Sequence, residues 1–163
     1  MNTVRLLIDD VAWRSVLESR LAEAGWVLVP DDAASSALVV VPPLEAGVSG
    51  WSAQSVRSVL ESTVFALVDR LQAIGASMRS GTRLAILVPT CGAAEGITTE
   101  RFRSIVLARF VNGLAHELHA AGVTVQGIEV PADAATAAAI VVDTLQTEAL
   151  TGSWVGRMED LIR

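Results

Sequence analysis

Thr82-Arg-Leu-Ala-Ile-Leu-Val-Pro-Thr90 is the stretch on which the fold depends. Leu84 to Val88 is an unbroken apolar run, the pattern of a strand covered on both faces. A long helical pattern lies on each side of it. Ser52 to Met78 carries Val56, Leu60, Val64, Leu67, Leu71 and Ile74 at three- and four-residue steps, and Ser80-Gly81 closes it. Thr99 to Ala121 is the second helix, ending before Gly122. Between strand and helix, Pro89 to Thr99 reads as a loop holding Cys91, Gly92 and Gly96. Val123 to Val130 is then a strand. An Ala-rich helix follows Pro131, from Asp133 to about Gln146, and Gly152 to Val155 is a last short strand.

Upstream the same alternation holds. Val4 to Ile8 is an apolar strand ending in Asp9-Asp10. The helix from Val11 to Ala24 places Val11, Leu17, Leu21 and Ala24 on one face; Asp9 or Asp10 caps it and Gly25 ends it. Trp26 to Val29 is a strand, Pro30-Asp31-Asp32 a turn, and Ala37 to Val41 a strand stopped by Pro42-Pro43. Residues 44–51 form a loop with Gly47, Gly50 and Trp51. Strand and helix alternate without repeat or linker. The expectation is one α/β domain over residues 1–163, a three-layer sandwich with a mainly parallel sheet and helices on both faces.

Composition excludes several classes. The 163 residues carry a net charge of −6, which argues against a nucleic-acid partner. The longest charge-free stretch, Ala33 to Leu44, is too short for a membrane span, which takes about 17–25 residues. A single cysteine, Cys91, excludes an intramolecular disulfide and a multi-cysteine metal site. Met1-Asn-Thr-Val-Arg5 lacks the apolar core of a signal peptide, so a cytoplasmic location is expected. The Ala-rich composition points to a high-GC bacterial source. The most informative absences are lysine and tyrosine: all 12 positive charges are arginine, so chemistry that needs a Lys amine or a Tyr phenol is excluded.

From about Val39 onward the order of elements resembles the short-chain dehydrogenase/reductase family. Thr82 to Thr90 resembles that family's G-R-I-V-n-i-S-S strand, which carries a catalytic serine. Leu107-Ala-Arg-Phe-Val-Asn-Gly-Leu-Ala-His-Glu-Leu118 resembles its A-x-x-x-x-G-L-x-x-x-L-A-x-E-L helix. Ala121-Gly-Val-Thr-Val-Gln-Gly-Ile-Glu-Val-Pro131 resembles x-G-I-R-V-N-x-V-x-P, Ala139 to Val155 resembles the ending with Thr151-Gly152 in register, and Leu21-Ala-Glu-Ala-Gly-Trp-Val-Leu28 resembles L-A-x-x-G-A-x-V. The resemblance implies a Rossmann-like fold.

The departures from the family pattern are consistent with one another. The dinucleotide-binding T-G-x-x-x-G-x-G glycines fall near Ile8, Ala12 and Arg14, and no glycine precedes Gly25. Two carboxylates, Asp9 and Asp10, stand where a phosphate nest is needed. Val41-Pro42-Pro43 replaces N-A-G; the only asparagines are Asn2 and Asn112, so the structural Asn of the long helix is missing too. The Tyr and Lys of the catalytic Y-x-x-x-K fall near Glu100 and Ser104, and Thr90 is the nearest stand-in for the serine. The second and third strands are only about ten residues apart, where a complete dehydrogenase has two further βα units. The chain therefore reads as a truncated, degenerate member, shortened relative to a complete enzyme. The expectation is a catalytically inactive subunit with no cofactor site and no metal site.

The residual catalytic candidates are Thr90, Cys91 and Glu100. A Cys91–histidine pair with His116 or His119 lacks an orienting third group, and the i, i+3 spacing of His116 and His119 does not match the i, i+4 zinc motif. Arg101, Arg103 and Arg109 are candidate anchors for an anion such as a coenzyme A phosphate, against ordinary salt-paired surface arginines. Trp13, Trp51 and Trp154 either line a pocket or fill core edges. In the resembled family, helices like 52–78 and 99–121 form the main dimer interface; Ala66, Ala73, Ala76, Ala108 and Ala115 would allow close helix approach. The expected partner is a second copy or a catalytic family member. An atypical reductase of the 3-oxoacyl type and a small-ligand-binding protein are the alternatives.

Overall fold

The computed structural model describes residues 2–42, 52–90, 99–131, 133–147 and 153–155. Strands β1 (Thr3–Leu7), β2 (Val27–Leu28), β3 (Ala37–Val40), β4 (Arg83–Thr90), β5 (Thr124–Pro131) and β6 (Ser153–Val155) form one sheet. The order is β2-β1-β3-β4-β5-β6, and every pairing is parallel. Helices α1 (Val11–Glu23) and α5 (Ala134–Gln146) cover one face. The other is covered by α4 (Thr99–His119) and by a rod made of α2 (Ala53–Val59), a π-helical turn (Leu60–Phe65), α3 (Ala66–Ile74) and a 3-10 turn (Gly75–Ser77).

The central strands feed both layers because side chains alternate across a strand. Leu84, Ile86 and Val88 face the rod and α4, whereas Ala85 and Leu87 face α1 and α5. β3 divides in the same way, with Leu38 and Val40 opposite Ala37 and Val39. Against the doubly wound order 3-2-1-4-5-6, the sheet of the described residues lacks the strand outside β2, together with the two crossovers to and from it. A turn over Asp31 and Asp32 leads to β3 instead. The edge so exposed is blunted. Val27 and Val29 give their amides to Asn2 and Val4, Trp26 gives its amide to Leu21, and Pro30 has none to give.

Both helix ends next to a strand close in the same way. Gly25 (φ 83°) donates to the Ala22 carbonyl, and Trp26 to that of Leu21. Gly122 (φ 72°) donates to His119, and Val123 to Leu118. These are paired six-to-one and five-to-two bonds around a left-handed residue, which only glycine adopts without strain.

The sequence places a core stripe on Val56, Leu60 and Val64, and the structure corrects it. Ser55, Val59 and Thr63 are the buried positions, and Val56, Leu60 and Val64 are half-buried. The cause is the π turn, in which the Ala66 amide reaches the Glu61 carbonyl five residues back. A wider turn delays the face by about one residue. Val11 is also not a core residue: it is 80% exposed in the first turn of α1, and Leu17 and Leu21 carry the packing.

Asp133 caps α5, its carboxylate accepting from the Thr136 amide at 2.8 Å and the Thr136 hydroxyl at 2.6 Å. The Thr136 side-chain bond first, then its amide, holds the Asp133 pKa below the ordinary carboxylate value. A folded-state pKa that is lowered stabilises the fold above the unfolded carboxylate pKa, and that share is lost as pH falls through the folded value. Asp133→Asn keeps a capping side chain but removes the titration. Its urea midpoint relative to wild type should therefore improve between pH 7 and pH 3. An unchanged difference between the two proteins at both pH values would contradict this.

Candidate functional site

The crossover from β1 runs to β2 on one side, while β3 lies on its other side, so the sheet switches direction between β1 and β3. In open α/β sheets ligands bind in the crevice beyond the strand ends at this point. Here the crevice is a cavity of ≈ 270 Å³ lined by the end of β1 with Asp9, by Arg14 of α1, by Asp31, and by Arg70, Ala73 and Ile74 of α3.

Its charged side chains bind one another. Arg70 reaches from α3 to an ion pair with the Asp9 carboxylate, and its other terminal nitrogen lies 3.5 Å from the Val41 carbonyl beyond β3. Arg14 pairs with Glu18 at 3.0 Å and lies 3.8 Å from Asp31. Three elements that a ligand would bridge are thus joined by the chain itself.

The start of α1 is the position that decides phosphate binding. Free amides at a helix N-terminus attract an anion. The Asp10 carboxylate accepts from the Trp13 amide at 3.0 Å, which fills that role with the protein's own negative charge. Asp10 is therefore the cap, not Asp9, which is turned to Arg70. A dinucleotide pyrophosphate would meet the Asp10 carboxylate where it requires bare amides. The residues present do not fit that group.

The catalytic candidates are placed as follows. Thr90 ends β4 in register with Pro131, and Glu100 lies in the first turn of α4. Cys91 and Trp51 lie outside the described residues. His116 and His119 occupy the exposed last turn of α4, at the end of the helix away from Glu100. Among the described residues no group of three or more His, Cys, Asp or Glu could hold a metal ion. The arginines of α4 do not form one cluster: Arg103 is buried, Arg101 half-buried and Arg109 exposed, because positions two and six apart diverge around a helix. Trp13 packs against the α1–α5 core as an edge residue, and Trp154 lies in β6. Ala115 is in the core under α4, not on an outer face, and Ala73 lines the crevice.

Sequence reasoning missed two arginines. Arg70 carried no signal, since an arginine on a long amphipathic helix is ordinary. Arg5 was visible as a charge inside an apolar strand. It is 2% exposed and sends its guanidinium to the Asp31 carbonyl at 2.6 Å, the Ala33 carbonyl at 3.3 Å and the Ser77 hydroxyl at 2.7 Å. It ties the short β2–β3 connection to the end of the rod.

No family model matches the sequence, and no curated protein matches it. Solved structures do. An oxidoreductase of the short-chain dehydrogenase/reductase family from Burkholderia thailandensis aligns with a TM-score of 0.70 and 15% identity, over 99% of this chain and 92% of that one. A short-chain dehydrogenase/reductase from Brucella ovis aligns with a TM-score of 0.66 and 15% identity, over 95% of this chain and 99% of that one. A mutant of a Serratia marcescens short-chain dehydrogenase/reductase gives 0.69 and 13%, over 94% of each chain. The sheet order, the two helical layers and these alignments give one answer: the chain has the fold of the short-chain dehydrogenases/reductases.

Proposed function

We propose that this chain is a catalytically inactive subunit with the short-chain dehydrogenase/reductase fold, which assembles with copies of itself or with a complete family member through the helices at 52–78 and 99–121. Its role is to stabilise the partner or to complete the partner's substrate pocket. The observation that carries this reading is the Asp10 carboxylate seated on the first turn of α1, where a dinucleotide phosphate would have to sit. The chain's lack of Tyr and Lys supports it from the side of chemistry: proton donation by a phenol, assisted by an ammonium, has no residues to perform it.

Titration calorimetry with NADH and NADPH is the direct test. The expected result is no saturable heat at several hundred micromolar nucleotide; like charges about 4 Å apart repel by about 1 kcal/mol even in bulk water, and by more in a crevice. Tight saturable binding would overturn the proposal. So would turnover of a 3-oxoacyl thioester that Thr90→Ala or Glu100→Gln abolishes. Native mass spectrometry of the tagged protein from its own host then distinguishes self-association from a stoichiometric complex with a complete enzyme.

A further inference from the structure

The crevice beyond β1 is lined by two guanidinium groups, Arg14 and Arg70, and two carboxylates, Asp9 and Asp31. Both signs are present and the lining charges cancel. The two pairs they form are unequal. Arg70 and Asp9 make a hydrogen-bonded ion pair. Arg14 and Asp31 stand 3.8 Å apart, beyond hydrogen-bond length. Arg14 uses Nε on Glu18, and neither of its terminal nitrogens donates to any of the described residues. The Asp31 carboxylate accepts no hydrogen bond among the described residues; its backbone carbonyl is what takes the Arg5 guanidinium. The Arg14 side chain is 40% exposed and that of Asp31 65%, so both are open to a ligand.

The rest of the lining is apolar and includes Leu7, Ala73 and Ile74. Leu7 and Ile74 are half-buried, each packed against the core under the rod. The walls are held in place from beneath. Arg5, itself buried, donates to the Asp31 carbonyl at 2.6 Å and to the Ser77 hydroxyl at 2.7 Å, and Ser77 donates to the Ile74 carbonyl at 2.7 Å. One guanidinium thus fixes the acidic wall relative to the apolar one, and a site fixed before binding loses less on binding. The cavity of ≈ 270 Å³ lies below the range of about 300–1,000 Å³ found for drug-sized ligands. Its occupant is therefore small.

We infer that the crevice binds a small zwitterion with an apolar tail, of the class of the aliphatic α-amino acids. The ligand carboxylate accepts from the unengaged terminal N–H groups of Arg14. Its ammonium donates to the unengaged Asp31 carboxylate beside them, and its tail lies on Leu7, Ala73 and Ile74. The charges select this class. A small anion gains from the arginines but faces the carboxylates, and a small cation meets the reverse, whereas a zwitterion gains from both signs and is repelled by neither. Exposed ion pairs contribute little to stability, so drawing Arg14 and Asp31 onto a ligand costs the fold little. This inference goes beyond the inactive-subunit reading. It concerns what the crevice holds in place of a dinucleotide, and it requires no assembly.

Titration calorimetry of the purified full chain with L-leucine, L-isoleucine and L-valine tests this. At least one is expected to saturate at one molecule per chain, with a dissociation constant between about 1 μM and 1 mM, the range open to so small a ligand. The amide of that amino acid lacks the carboxylate, and its N-acetyl form lacks the ammonium. Each should bind at least about tenfold more weakly, the loss of one charged hydrogen-bonded contact. Asp31→Asn and Arg14→Gln should each weaken the unmodified amino acid at least about tenfold for the same reason. Glu117→Gln, exposed in the last turn of α4 and outside the crevice, should stay within about twofold of wild type. Unchanged far-UV circular dichroism shows that a loss of binding is not a loss of fold. No saturable heat from any of the three amino acids at about 10 mM overturns the inference. Equal binding of the amino acid and its two blocked forms overturns it too, as does binding that survives both crevice substitutions. Nucleotide binding is read in a separate titration, so failure here leaves the inactive-subunit reading standing.

Discussion

Arg5→Ala is expected to lower the unfolding free energy by about 3 kcal/mol, which for a chain of this size is a fall in Tm of about 6–12 °C. Two terms set the figure. The substitution removes two side-chain methylenes, Cγ and Cδ, from a buried site, at about 0.8 kcal/mol each. It also removes three hydrogen bonds from a charged donor, to Asp31, Ala33 and Ser77. Such bonds are each worth about 1.5–3 kcal/mol, but burying the guanidinium cancels most of that gain, which leaves about 1 kcal/mol. Arg5→Met keeps the stem and loses only the bonds, so about 1 kcal/mol is expected for it. Urea unfolding of the two variants separates the terms. Hydrogen exchange adds the local signature: amides near residues 31–36 should lose protection in both variants, because Arg5 is the tie between that connection and Ser77, which itself donates to the Ile74 carbonyl at 2.7 Å. Equal stability of Arg5→Ala and wild type would show that the tie contributes nothing.

The second large effect is expected at Gly122. Its φ of 72° is a conformation that costs other residues about 1–2 kcal/mol. A methyl group built there would lie 2.4 Å from the Ser80 hydroxyl oxygen, 3.1 Å from its Cβ and 3.3 Å from its Cα. The hydroxyl can rotate away, whereas the backbone carbon cannot, because the Gly81 amide is held by the Gly122 carbonyl at 2.8 Å. Gly122→Ala should therefore cost about 2–3 kcal/mol, of which the backbone conformation supplies about half. Ser80→Gly in the same chain removes the Cβ and hydroxyl contacts and should recover up to about 1 kcal/mol without restoring wild-type stability. Thermal unfolding of the single and double variants measures both parts. Gly25, with φ 83° and nothing within 4 Å of an added methyl, provides the control in which only the conformational part is lost.

Most of the fold was legible because its signals are local. The apolar run at Leu84 to Val88 marked a strand buried on both faces, and the structure extends it only to Arg83 and Thr90. Gly25 and Gly122 marked helix ends, and both are left-handed caps. The short gap between the second and third strands marked a shortened sheet, but the sheet order corrects its extent: one strand with its two crossovers is absent among the described residues, not two βα units. The misplaced stripe on Val56, Leu60 and Val64 has a physical cause. A π turn differs from an α turn by one residue of hydrogen-bond register, and no residue preference distinguishes Leu60–Phe65 from ordinary helix.

At the crevice, sequence reading identified what was absent and misjudged what was present. The sequence shows no glycine before Gly25 and places Asp9-Asp10 directly ahead of the first helix. The division of labour between the two carboxylates was not visible. Asp10 takes the helix amide because it directly precedes Val11, whereas Asp9 is turned to an arginine 61 residues away in the chain. The cluster expected from Arg101, Arg103 and Arg109 dissolved for the converse reason: closeness in sequence on a helix is closeness on a face only at three- or four-residue spacing.

The sequence by itself determined the alternation of strands and helices, the caps, and the absence of Tyr and Lys, since each of these rests on residue type and on neighbours a few positions away. Only the tertiary structure decided which long-range partners meet. Arg70 spans the crevice, and Arg5 ties the short β2–β3 connection to the end of the rod, because parallel crossovers bring together segments separated by tens of residues that no local pattern connects.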